Sequence, residues 1–133
     1  MSDAHHGSCL CGAVRFEIDA AFEGFFLCHC SRCRKGAGSA HAANLFASRG
    51  ALRWLSGAEN VRTFALAGTR HARSFCAACG SALPRVLGDA IIAPAGSLDS
   101  ALSMRPTAHI CMASRADWDH DLEAAPRLDG LPA

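Results

Sequence analysis

Seven of the eight cysteines fall into three tight clusters: Cys9 and Cys11, then Cys28, Cys30 and Cys33, then Cys76 and Cys79, with Cys111 alone. Neighbouring thiols on a short turn are what a tetrahedral metal requires, since their sulfurs can reach one ion at about 2.3 Å. The segments read SCLCG, CHCSRC and FCAACG. In the last, two residues separate the cysteines and Gly80 follows, supplying the positive φ that such a turn calls for. A disulfide framework is the competing reading. It belongs to oxidising compartments, whereas the opening MSDAHHGS has no apolar run of the kind a secretory leader carries. Metal ligation and a cytoplasmic chain are therefore expected.

A length of 133 residues suits a single domain with a core of its own, which metal staples would help to stabilise. Half the residues are hydrophobic and 19% are charged, as in ordinary globular proteins. No apolar stretch approaches the roughly 18 residues of a membrane span. The net charge is +1 with acids and bases interspersed, and no basic face or tail points to nucleic acid. The one basic cluster, RCRK with Arg32, Arg34 and Lys35, adjoins the three-cysteine motif. Binding a small anionic substrate and forming a solvated surface turn are both open to it.

Val14, Phe16 and Ile18 alternate with Arg15 and Glu17, the period-two signature of a half-buried strand. A second alternation runs over residues 61–66, and short strands are expected at 24–27, 42–46, 52–54, 72–75, 90–93 and 108–112. Glycine and serine punctuate most of the gaps. The pattern predicts a mainly β, single-domain fold of small antiparallel sheets with zinc-ribbon-like metal-binding turns. Helical turns are expected at 31–38 and 99–104, and a loosely packed tail from about residue 126.

Seven clustered cysteines are too many for one zinc. Combining Cys9 and Cys11 with Cys76 and Cys79 gives a closed four-thiolate site, structural in character, that fastens the N-terminal loop to a turn far along the chain. Cys28, Cys30 and Cys33 remain. Three protein ligands with an open fourth position is the catalytic pattern for zinc, suited to holding an incoming thiol as a thiolate. A closed second site completed by Cys111, His41, His71 or His109 is the alternative. His29, between two ligands, is poorly placed to turn toward the same ion. Cys111, in an apolar segment, is expected to be an unligated, buried small hydrophobe.

Taken together, GSCLCGAVRFEI, CHCSRCRKGAGSA, FCAACGSAL and RPTAHI resemble the glutathione-dependent formaldehyde-activating enzymes, grouped with centromere protein V. The resemblance covers about residues 7–118, in the family's order and spacing. It implies a mainly β zinc fold with two zinc ions per chain. Cys9, Cys11, Cys76 and Cys79 would hold a structural zinc, and Cys28, Cys30 and Cys33 a catalytic one. It also implies an activity that joins glutathione to formaldehyde as S-(hydroxymethyl)glutathione, formally a carbon–sulfur lyase run in reverse. His41 and Cys111 depart locally, standing where relatives often carry aromatic residues.

Three functions follow. The first is an enzyme that presents a small thiol such as glutathione to a small aldehyde, with Arg32, Arg34 or Lys35 pairing with the thiol's carboxylates. The second is a non-catalytic zinc-stabilised binding module, although the extra basic segments of relatives with chromosome or cytoskeleton roles are missing. The third is a redox or metal-handling protein built on the three thiols.

Overall fold

The structure, a computed structural model, describes residues 3–132. Among them the chain forms eleven strands and one α-helix: β1 Asp3–Ser8, β2 Arg15–Ala20, β3 Gly24–Cys28, α1 Ser31–Ala37, β4 Ala42–Ala47, β5 Ala51–Ser56, β6 Val61–Ala65, β7 Ala72–Cys76, β8 Ala82–Leu83, β9 Arg85–Leu87, β10 Ala90–Pro94 and β11 Ala108–Ile110. They build three small sheets, in the orders β1-β2-β5, β11-β3-β4-β10-β9 and β6-β7-β8. The fold is mainly β, as the alternation predicts. Among the described residues no helix is long and apolar enough to cross a membrane.

The core follows from the pleat. Along β2, Phe16, Ile18 and Ala20 face inward while Arg15 and Asp19 face solvent. They pack with Leu45 and Ala47 of β4 and Ile91 and Ala93 of β10. Each fully buried side chain of Phe, Leu or Ile size contributes about 1.5–3 kcal/mol. Phe16 meets Trp54 edge to face at 6.0 Å. Directly across the strand pair stands Gly7, where a Cβ would collide with the Phe16 ring and the Ser97 carbonyl. β1 reads DAHHGS and carries almost no β signal, because its inward positions are His5 and Gly7.

Three expectations are corrected. The segment 99–104 is not helical. The Asp99 amide donates to the His6 carbonyl (2.7 Å), the Ser100 hydroxyl accepts from the His6 amide (3.0 Å), and the Ser8 hydroxyl donates to Asp99 (2.6 Å), which clips the segment to β1 instead. The sheets are not wholly antiparallel, since β11 runs parallel to β3. The last strand stops at Ile110 because Cys111 takes φ 57°, and Cys111 is exposed rather than buried. Residues 126–132 are exposed and form neither helix nor strand.

Candidate metal centres and the adjoining cavity

The first cysteine group joins two sheets. Cys9 and Cys11 occupy the turn between β1 and β2, which is closed by the Cys9 amide on the Val14 carbonyl (3.0 Å) and the Gly12 amide on the Cys9 carbonyl (3.1 Å). Cys76 ends β7, and Cys79 lies in the turn before β8. There the Gly80 amide donates to the Cys76 carbonyl (2.8 Å) with Gly80 at φ 78°, the conformation the FCAACG motif predicts. The Leu10 amide donates to the Ser81 hydroxyl (2.8 Å), bringing the two turns face to face.

Cys9, Cys11, Cys76 and Cys79 hold their sulfurs within 4.8 Å of one another. Cys9 to Cys11 is 3.5 Å and Cys11 to Cys76 is 4.0 Å. A tetrahedral zinc with bonds of about 2.3 Å sets its sulfurs roughly 3.8 Å apart. Charge is shared unevenly. The Ser81 hydroxyl and amide hold the Cys79 thiol down to about 5. Although the Ala13 amide draws the Cys11 thiol down, the neighbouring Cys9 sulfur and burial push it up to about 11. Adjacent thiols resist ionising together, and a dication among them removes that conflict, so the donor set fits a metal.

The second group is local. Cys28 ends β3, Cys30 caps α1 by accepting the Cys33 amide (3.4 Å), and Cys33 stands in the helix's first turn. These three sulfurs also lie within 4.8 Å of one another, so they too can hold a metal ion. Burial, then Cys28 and Cys30, hold Cys33 well above the ordinary thiol range. Burial opposes ionisation of Cys30, but the Cys33 amide and thiol overcome it, and its pKa is lowered.

His29 faces away from this group, as its position between two cysteines predicts. Its ring is 1% exposed, with Nδ1 2.8 Å from Asp119 Oδ2 and Nε2 2.9 Å from His109 Nδ1. The His41 ring packs on His29 with centroids 5.1 Å apart. The exposed Cys111 is close enough to act on Cys28, whose pKa is raised first by burial and further by Cys111.

Cys33 also lines a cavity of about 390 Å³ between α1, β4, β7, β8, β9 and β10. Ala43, Leu83, Ile92 and Pro94 supply apolar wall, while His41, Asn44, His71, Arg70, Arg73 and Arg85 supply polar groups. Its size is that of a small-molecule site. Arg32, Arg34 and Lys35 are not among the lining residues. Arg32 is exposed on α1 but lies near enough to contribute to the lowered pKa of His71, which burial chiefly causes. Arg34 is half-buried with Nε unpaired, and Lys35 is exposed. Arg70 and Arg73 carry a sequence signal in the run RHAR, a second basic cluster comparable to RCRK, whereas Arg85 carries none. Asp119 carries no signal either, since in WDHD it looks like a surface acid.

The sequence matches the glutathione-dependent formaldehyde-activating enzyme family over residues 4–114, and the chain belongs to that family. A relative from Halomonas elongata, whose name assigns it provisionally to the same enzymes, is 35% identical, the match covering 84% of this chain and 77% of that protein. The crystal structure of a Rhodobacter sphaeroides protein solved as a structural-genomics target superposes with a TM-score of 0.58 at 24% identity. It covers 78% of this chain and 98% of the other, a likeness of fold.

Proposed function

We propose that the chain is a zinc-dependent enzyme of the carbon–sulfur lyase type that works in the joining direction, adding a small thiol such as glutathione to formaldehyde or another small aldehyde. One observation carries the reading: a compact group of three thiols, Cys28, Cys30 and Cys33, opens through Cys33 onto a ligand-sized cavity. Two zinc ions per chain belong to it, a structural one on Cys9, Cys11, Cys76 and Cys79 and a second on Cys28, Cys30 and Cys33. Zinc in the second position would supply stabilisation of a substrate thiol as its thiolate near neutral pH.

The remaining work falls to the protein. The apolar walls exclude water, and the polar groups fix the substrate so that sulfur and carbonyl carbon meet in one orientation, which removes a large entropic cost. The addition forms one sulfur–carbon bond. The carbonyl π pair passes to oxygen, which takes up a proton equivalent to the one the thiol gave, so only thiol and aldehyde are consumed. Small soluble partners in the cytoplasm suit this reading, with no membrane or nucleic acid involved.

The addition also proceeds unaided, so the test is kinetic. The rate of S-(hydroxymethyl)glutathione formation, followed by exchange NMR, should rise with zinc-loaded protein and fall to the spontaneous rate with Cys30→Ser. Equal rates with and without protein would remove the enzymatic reading. The exposed Cys111 beside Cys28 favours a redox role as the second reading, which predicts loss of two thiols and one zinc on mild peroxide treatment.

A further inference from the structure

We propose that Arg70, Arg73 and Arg85 form a carboxylate-recognition site in the cavity beside Cys33, selecting a thiol that bears two or more carboxylates. The proposal rests on the thiol-addition reading and names the groups that would choose its substrate.

The three guanidinium-bearing side chains converge from different places: Arg70 from the turn before β7, Arg73 from β7 and Arg85 from β9. None of the residues lining the cavity is an aspartate or glutamate. Among the described residues the ion pairs are His6–Glu17, Arg53–Glu17, His29–Asp119 and His120–Asp121, so these arginines have no carboxylate within 4.0 Å. Arg73 and Arg85 are half-buried, and Arg70 is exposed at the cavity's edge. Half-buried cations without a counter-charge lose hydration and repel one another. Their field is already felt inside the protein, because Arg32, Arg85 and Arg73 reinforce the burial that depresses His71. An anionic ligand resolves both costs.

The site is also built for geometry. The stem of Arg73 lies against α1 at Gly36, where a Cβ would stand 3.3 Å from its Cδ, and its guanidinium lies 5.4 Å from the centre of the Phe75 ring. This fixes a planar fork beside the helix that carries Cys33. Arginine forks bind carboxylates through paired N–H···O bonds, which a lysine cannot reproduce. Three forks around one cavity, with apolar wall at Ala43, Leu83 and Ile92 and the Asn44 amide, fit a ligand with several carboxylates joined by a partly aliphatic, amide-bearing frame.

The probe is S-methylglutathione, whose capped sulfur separates recognition from reaction. Calorimetric titration of the zinc-loaded protein should show binding that weakens about tenfold or more in Arg73→Gln and in Arg85→Gln, as loss of a charge-assisted bond demands. Arg85→Lys should recover only part of the loss. Melting and zinc content check that each variant is folded, and Arg70→Gln, on an exposed turn, tests the site without touching a strand. The diethyl ester of the probe should bind far more weakly, and phosphate at matched ionic strength should not compete. Equal affinity for ester and acid, unchanged affinity in all three glutamine variants, or competition by millimolar phosphate would each overturn the proposal. The reaction is tested separately with glutathione itself, whose sulfur is free. If wild-type protein fails to accelerate its addition to formaldehyde while S-methylglutathione still binds through the arginines, the reaction falls and the recognition site stands.

Discussion

His29 Nδ1 stands 2.8 Å from Asp119 Oδ2, which ties the turn carrying Cys28 and Cys30 to a segment nine positions beyond the last strand. The oxygen lies off the direction of the ring N–H, so the contact is an electrostatic pairing more than an aligned hydrogen bond. Nε2 of the same ring meets His109 Nδ1 at 2.9 Å. An acid near the chain's end thus orients two imidazoles behind the three-thiol group.

Asp119→Ala should therefore destabilise the protein by about 1–3 kcal/mol, the cost of removing the charged group paired with a buried ring. Asp119→Asn, which keeps the shape but not the charge, should recover little of it. Chemical denaturation monitored by tryptophan fluorescence reads the difference. An alanine variant as stable as wild type would show that the pairing has no structural weight.

The two cysteine groups should respond differently to mutation. Cys11 and Cys76 are 65 positions apart, so a metal shared between them closes a long loop and contributes directly to folding. Cys76→Ser is expected to unfold or aggregate. Cys28, Cys30 and Cys33 span a single turn, so Cys30→Ser should melt near wild type with one zinc lost. Cys111→Ser should keep two zinc ions per chain. Melting curves with metal analysis decide all three, and a Cys76→Ser protein with normal melting and two zinc ions contradicts the structural assignment.

The legible parts of this chain were those set by short spacing. Cys76–Cys79 with Gly80 announces its turn, and Phe16–Ile18 announces β2, because local rules decide both. What could not be read were relations settled by distant partners. β1 is a strand because Gly7 leaves room for the Phe16 ring, and 99–104 loses its helix to bonds with His6. The basic residues nearest the thiols in sequence, Arg32 and Lys35, are exposed on α1, while those lining the cavity, Arg70, Arg73 and Arg85, arrive from a turn and two strands far along the chain. Cys111 was read as buried from its apolar neighbours, but a left-handed backbone turns it outward.

Burial, reinforced by His29 and His109, holds His41 below its ordinary value of 6.5. The folded protein thus keeps this ring neutral at a pH where the unfolded chain binds a proton. Stability is unaffected above the unfolded value, falls as the pH drops below about 6.5, and levels off only below the depressed folded value. His71, lowered chiefly by burial, acts in the same direction. His41→Phe should flatten the loss of stability between about pH 7.5 and 5.5. Wild type and variant carry the same cysteines, so the difference between their denaturation midpoints isolates the histidine. An identical slope in both would refute this account of His41.

If the three-thiol group accepts a substrate thiol, glutathione should alter that group alone. Cobalt makes the distinction visible, because each thiolate added to the ion intensifies its sulfur-to-metal charge-transfer absorption. Cys9, Cys11, Cys76 and Cys79 already offer four sulfurs, so cobalt there has no position for another thiol and should be silent. Cobalt on Cys28, Cys30 and Cys33 should gain intensity when glutathione is added, and Cys30→Ser should abolish the gain. Cys111 supplies the competing outcome, since it is exposed and close enough to act on Cys28. If Cys111 fills the fourth position, the resting spectrum already shows four sulfurs, glutathione adds nothing, and Cys111→Ser restores the response. A spectrum insensitive to glutathione in both wild type and Cys111→Ser would leave a closed metal site with no place for substrate, and the non-catalytic zinc module would then be the function this fold serves.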